Sequence, residues 1–282
     1  LTSSAVAWQT LRSQLTGIKD IEKLQRKLVL QKVSPKDFAL LARDLQIIAA
    51  VYDNTIKDNT LTEYINGSAY VNEINVKTVC ETLLSDLNRV FDLEKCQTIT
   101  DINGDVDVFI QPGICPTMDI LVKDSLDGRE KLEAIRLYFS EAIKSVEKTT
   151  KDVQYIKIHE TPKSDALLLG TSRRVELLKA FLKKQHNQGE ENMVEIEYKS
   201  KYSKKHESFT LDLTTLDFQT IGSNKKDLSI TSTQIREITN TLQSAREKIV
   251  KELQYAFTWY VNGFAQYETA LQSIVQYTTS VD

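Results

Sequence analysis

Chain breakers are scarce. Nine glycines and four prolines in 282 residues are well under half the usual share of about 12 %. An all-β sandwich needs a turn every ten residues or so and is excluded. Collagen-like and Gly/Ser-rich disordered chains are excluded with it. No run of about 18 uncharged apolar residues is present, so no membrane span is expected, and no signal peptide is visible. Cysteine is sparse and odd in number: Cys80, Cys96 and Cys115 match no zinc or redox spacing and read as ordinary intracellular thiols. The formal charge is -3, so contact with nucleic acid would need a local basic patch. The apolar share of 41 % is slightly low for a globule and fits an elongated, solvent-washed shape. The missing initiator Met and abrupt helical ends suggest a piece of a larger protein.

What is present is helical periodicity. Residues 4–15 and 18–31 read as short amphipathic helices separated near Gly17. Ser34-Pro35-Lys36-Asp37 is a strong helix start: Ser caps, Pro suits the first turn, and Asp favours the positive end. Phe38, Leu41, Leu45 and Ile48 follow at helical spacing. A helix over 73–91 would bury Val76, Val79, Leu83, Leu87 and Val90. Asn103-Gly104 signals a turn, and Val106, Val108 and Ile110 alternate as a strand would. Pro112-Gly113 closes that segment. A long helix then runs from Pro116 to about Thr150, with Asp127-Gly128 expected to weaken or bend it.

Residues 153–230 are mixed. Tyr155–Ile158, Ala166–Leu169, Val194–Tyr198 and Phe209–Leu213 read as short strands of a small antiparallel sheet. Arg173–Lys184 reads as a helix with Val175, Leu178, Phe181 and Leu182 on one side. Thr231-Ser232-Thr233-Gln234 fits a capping box. From there to about Thr278 apolar residues step by three or four, predicting one helix of about 45 residues and roughly 70 Å. Two long helices flanking one insertion must run antiparallel, which puts the insertion at the tip of a helical arm. The fold class is therefore mainly α: a helical core over 1–115 with a short β-like segment near 99–111, long antiparallel lever helices at 116–152 and 231–282, and a small β-rich insertion over 153–230.

Several segments together resemble the MutS family of DNA mismatch-repair proteins. Gly17-Ile18-Lys19-Asp20-Ile21-Glu22-Lys23-Leu24 is similar to the family's G-I-x-D-L-E-R-L element. Ser34-Pro35-Lys36-Asp37-Phe38 resembles its S-P-R-D-L helix start. Ile110-Gln111-Pro112-Gly113, Met118-Asp119-Ile120-Leu121 and Asp127-Gly128-Arg129 resemble its run into a lever helix. The resemblance spans most of 17–280. It implies a core-and-lever domain with a clamp at its tip, where two clamps of a dimer close on DNA. Mismatch reading would lie upstream and the ATPase, with its ATP and Mg, downstream. Lys163-Ser164-Asp165-Ala166 stands where the family has a Gly-Tyr pair, and the helix at 173–184 is extra. Both departures look more like the branch found in large DNA viruses.

No catalytic apparatus is visible, so the segment itself reads as not an enzyme and without a cofactor. Neither Gly170-Thr171-Ser172-Arg173 nor Gly222-Ser223-Asn224-Lys225 fits a phosphate-binding loop. His159, His186 and His206 share no metal spacing. Phe139-Ser140-Glu141 has the letters of a mismatch wedge, but mid-helix Phe139 would pack and Glu141 would face water. Lys199, Lys201, Lys204, Lys205, Lys225 and Lys226 stand against Glu207, Asp212 and Asp217. With His206 they are the first candidates for DNA-backbone contact, through phosphates rather than bases. They could equally be a solvated hairpin whose lysines discourage edge pairing. Arg173, Arg174 and Lys184 are secondary candidates, beside Lys163, Lys179 and Lys183. Phe257, Trp259, Tyr260, Phe264 and Tyr267 read as helix–helix packing. The expected partners are duplex DNA and a second copy of the full-length protein, with no membrane. The compartment is intracellular: nucleus, cytoplasm or viral replication site. The alternative function is a helical protein-interaction module or scaffold.

Overall fold

The computed structural model describes residues 8–67, 75–103, 107–147, 154–161, 164–187, 192–221 and 226–282. The chain is mainly helical with small antiparallel sheets. It divides into two compact units, Leu1–Pro116 with Val250–Asp282, and Thr117–Ile249. Expected positions 4–7, 73–74, Gly104, Val106, 148–150, Lys163 and Lys225 lie outside the described residues.

The first unit begins with α1 (Trp8–Gly17) and α2 (Ile21–Val29), parted by the turn expected near Gly17. Asp20 caps α2 by accepting the Lys23 N–H at 2.8 Å. The Ser34-Pro35-Lys36-Asp37 start heads α3 (Pro35–Thr55). It forms a reciprocal cap: Ser34 Oγ accepts the Asp37 N–H, and Asp37 accepts the Ser34 N–H at 2.9 Å. The cap delivers Phe38 to the centre of the unit, fully buried. Its ring meets Phe91, Phe257, Tyr260 and Phe264 at centroid separations of 5.1–5.8 Å. Stacked and edge-on aromatic pairs at such distances add to simple area burial.

The helices α4 (Asn59–Gly67), α5 (Val76–Val90) and the single turn α6 (Leu93–Cys96) follow. In α5 the buried face is Val76, Cys80, Leu83, Leu87 and Val90, with Cys80 in the place expected for Val79. All three cysteines are free, and burial pushes the Cys80 and Cys96 thiols up to about 12. The strand expected at 99–111 is not formed among the described residues. Only the bridge Phe91–Ile110 stands there. Phe109 and Ile110 are both buried, unlike neighbours on a strand buried on one face only; Phe109 has turned in to the ring cluster. Gly113 takes φ +88 in the expected turn, a conformation open to glycine.

The second unit is built on α7 (Pro116–Glu147). The helix passes through Gly128 without a break. A Cβ at Gly128 would stand 3.5 Å from Leu242 Cδ1, so the glycine marks close helix–helix approach rather than a bend. β1 (Lys157–Thr161) and β2 (Ser164–Thr171) come next. They precede α8 (Ser172–Asn187), which buries Val175 and Leu178. β3 (Met193–Lys199), β4 (His206–Asp212), β5 (Asp217–Thr220) and β6 (Asp227–Thr231) complete the sheets. These form not one sheet but two: four strands in the order β1-β2-β6-β5, and the hairpin β3-β4, all antiparallel.

The last helical stretch, α9 (Thr233–Phe264), is divided between the units at Ile249. Its start differs from the expected capping box. Ser232 Oγ accepts the Ile235 N–H at 3.1 Å, while Gln234 accepts the Asp212 N–H and donates to Thr210 O, closing off β4. The expected 45-residue helix is also interrupted, by a 3₁₀ turn at Ala265–Tyr267 ahead of α10 (Glu268–Val281). Gly263, which packs nothing against a side-chain position, makes this the weakest point of the run. Phe257, Tyr260 and Phe264 are buried as expected, and Tyr267 packs on Phe264. Trp259 is not: it is 69 % exposed, on the opposite side of α9.

Candidate nucleic-acid interface

Phosphate contact needs exposed cations that are not already neutralised by neighbouring carboxylates. The hairpin group satisfies the first condition; none of its lysines forms an ion pair among the described residues, but carboxylates of the same hairpin match them in number. Lys199, Lys201, Lys204, Lys205 and His206 are all exposed at the closed end of β3-β4, and Lys204 takes φ 59 in the turn. Between Met193 and Asp212, however, four lysines face Glu195, Glu197, Glu207 and Asp212, so the hairpin carries no net charge.

Folding adds further carboxylates from α7. Glu130 accepts the Lys201 N–H at 3.0 Å. The Tyr198 hydroxyl lies 2.5 Å from Asp127 and 3.0 Å from Glu207. Burial and these two carboxylates push the Tyr198 hydroxyl pKa upward. Lys123 lies over the Tyr202 ring at 5.5 Å. The turn of the hairpin is therefore held against residues 123–130, early in α7.

Lys226 sits elsewhere, and the single cluster expected over 199–226 is split. Its carbonyl accepts both the N–H and the hydroxyl of Ser172, at 3.0 and 3.2 Å, at the start of α8. Next in line, Arg173 pairs with Glu147 at 3.1 Å, at the end of α7. Arg174 donates to Gln154 O and Tyr155 O and lies over the Tyr155 ring at 5.4 Å. Glu130 and Glu147 are separated by about 25 Å along α7 at 1.5 Å per residue, so the two basic groups lie toward opposite ends of that helix.

Among the helices and strands of the second unit, α8 carries the largest excess of cations. It carries Arg173, Arg174, Lys179, Lys183 and Lys184 against Glu176 alone. Lys179, Lys183 and Lys184 are exposed. Lys179 covers the Phe218 ring at 4.6 Å. Among the described residues, neither Lys183 nor Lys184 forms an ion pair. From sequence alone this helix stands second, because cations at helical spacing are more often the solvated face of an amphipathic helix than a contact surface.

Phe139 is fully buried and Glu141 exposed, as a mid-helix pair should be, so these residues form no wedge. Among the described residues no group of His, Cys, Asp and Glu is placed to hold a metal ion. No described helix is long and apolar enough to cross a membrane. The chain matches no protein-family model and no curated protein.

Proposed function

We propose that the chain is the core, lever and clamp segment of a MutS-like mismatch-repair protein, and that it grips duplex DNA through phosphates without reading bases. The observation that carries the DNA-binding part is α8, where five cations stand against Glu176 on the helix and Glu147 of α7, with Lys183 and Lys184 in no ion pair among the described residues and Lys226 at its start. The resemblance over 17–280 supplies the rest of the reading. Its S-P-K-D-F element heads α3 and sets Phe38 at the core of the first unit.

In this reading the clamp contact moves from the hairpin lysines to α8 and Lys226. Long helices suit coupling, because a small rotation at a base becomes a large displacement at an end. ATP and Mg would act in a part of the protein outside this sequence, and a second full-length copy would close the ring around DNA.

The test is anisotropy of a labelled duplex of about 30 base pairs at low salt. The native chain should bind, Lys183→Glu with Lys184→Glu should weaken binding strongly, and Lys204→Glu with Lys205→Glu should do so far less. Equal binding by the α8 variant, with an unchanged circular-dichroism spectrum, overturns the assignment.

A further inference from the structure

The second unit contains a groove of about 860 Å³ whose walls carry more carboxylates than cations. One face of α7, from Leu126 to Glu141, forms its floor. Ile158 and Glu160 of β1 line one side, and Glu195–Lys199 of β3 line the other. The β1 residues are alternate, as when a strand is met on its face. The β3 residues are consecutive, as when a strand is met along its edge.

That edge has free backbone groups. β3 pairs with β4 alone among the described strands. The Ser200 N–H donates to Lys205 O, and Asn192 O accepts the Leu213 N–H. Both pairs continue the β3-β4 register, in which Ile196 faces Phe209. In an antiparallel ladder, backbone direction alternates with each residue. The even-numbered residues therefore face β4, and the N–H and C=O groups of Glu195, Glu197 and Lys199 point away from it.

The chemistry of the walls selects an occupant. Leu137, 48 % exposed, lies with Tyr138 and Ile158 in an apolar floor. Six glutamates line the groove, those at 133, 141, 195 and 197 among them, against Arg129, Lys199 and Lys201, so the lining is acidic on balance. Glu133 is taken by Arg136, and Ser208 donates to Glu195. Among the described residues, Glu141 and Glu197 have no ion-pair partner. In an antiparallel pair of β3 edges centred on Glu197, Glu195 would meet Lys199 while the two Glu197 side chains repel, so a strand with a cation opposite each glutamate gains more than a second copy does. From Leu126 to Glu141 the floor runs about 22 Å, room for six or seven extended residues at about 3.3 Å each.

We propose that this groove is a protein-docking site. It binds an extended, cationic segment of a partner protein, which adds a strand to the open edge of β3. Main-chain hydrogen bonds to Glu195, Glu197 and Lys199 supply the pairing, apolar side chains rest on Leu137 and Ile158, and cationic ones meet Glu141 and Glu197. This is strand addition, in which backbone pairing gives affinity and alternate side chains give specificity. It is separate from the DNA contact proposed for α8.

The experiment uses a fluorescein-labelled peptide of about nine residues alternating Lys and Val, titrated against the intact chain. Two further peptides replace Lys by Glu, or one central Lys by Pro. Saturable binding is expected for the Lys–Val peptide only. Glu141→Lys with Glu197→Lys should weaken it by about 10-fold or more. Amide exchange should slow at Glu195, Glu197 and Lys199 on binding, a readout independent of the substitutions. Absence of saturable binding overturns the proposal. So does equal affinity in the double variant, equal binding of the proline peptide, exchange protection elsewhere, or displacement of the peptide by duplex DNA.

Discussion

Neutralising Lys183 and Lys184 isolates the phosphate contacts proposed for α8. The substitutions Lys183→Gln and Lys184→Gln keep side-chain length and helix propensity nearly constant. Both residues are exposed at the end of α8, with Lys184 in its last turn. Loss of their interaction with the helix dipole costs about 0.3–1 kcal/mol each at most, which leaves the fold intact. Each phosphate neutralised contributes about 0.9 to the slope of log affinity against log salt. Two lost contacts therefore lower that slope by about 1.8. Over a fourfold rise in salt this pair accounts for about a 12-fold share of the native loss of affinity. The assay is duplex-DNA anisotropy at several salt concentrations for the native chain, this variant, and Lys204→Gln with Lys205→Gln. The hairpin variant should keep the native slope, because its lysines sit among equal numbers of carboxylates. A native slope in the α8 variant, or a reduced one in the hairpin variant, refutes the placement of DNA on α8.

Three predictions concern the frame that carries these surfaces. Phe38→Ala empties the centre of the ring cluster and should cost about 3–5 kcal/mol in denaturant unfolding. Gly128→Ala should be neutral or stabilise by up to about 1 kcal/mol, since its Cβ meets Leu242 at an ordinary 3.5 Å, whereas Gly170→Ala should lower the melting temperature, since its Cβ would stand 2.8 Å from Ile156 Cδ1. At Asp86, burial raises the carboxyl pKa, but hydrogen bonds from Arg89, Tyr260 and Tyr267 outweigh it and hold the carboxyl below its ordinary range. Its stabilisation is present above the unfolded value of about 4 and is lost as pH falls through the lower folded value, so Asp86→Asn should destabilise at neutral pH and narrow its gap to the native chain in acid melts.

Local signals carried the helical half of the fold well. Ser34 and Asp37 cap α3 by chemistry confined to four adjacent residues, and Phe38, Leu41, Leu45 and Ile48 line its buried face. Where distant contacts decide, local pattern misled. Phe109 left the alternation of its neighbours to join Phe91 and Phe257, rings far from it in sequence. Gly128 read as a helix breaker because Leu242, the residue it makes room for, lies more than a hundred positions away.

Charge was the least legible property for the same reason. A window over 199–226 is basic, but phosphate responds to charge in space. In space, Glu130 accepts the Lys201 backbone N–H and the hairpin turn is held beside Asp127 through Tyr198, which brings two further carboxylates near the lysines. Both carboxylates belong to a helix that ends some fifty residues before the hairpin turn. Apart from Arg173, which pairs with Glu147, the cations of α8 form no ion pair among the described residues, because an amphipathic helix with Val175 and Leu178 buried turns its polar face to water. Lys179, Lys183 and Lys184 are exposed by the same packing that fixes the helix in place. The hairpin instead spends its polar groups on docking to α7, which leaves Glu195 and Glu197 on an unpaired edge. One insertion thus presents two surfaces of opposite character, a cationic helix suited to phosphate and an acidic strand edge suited to a cationic chain.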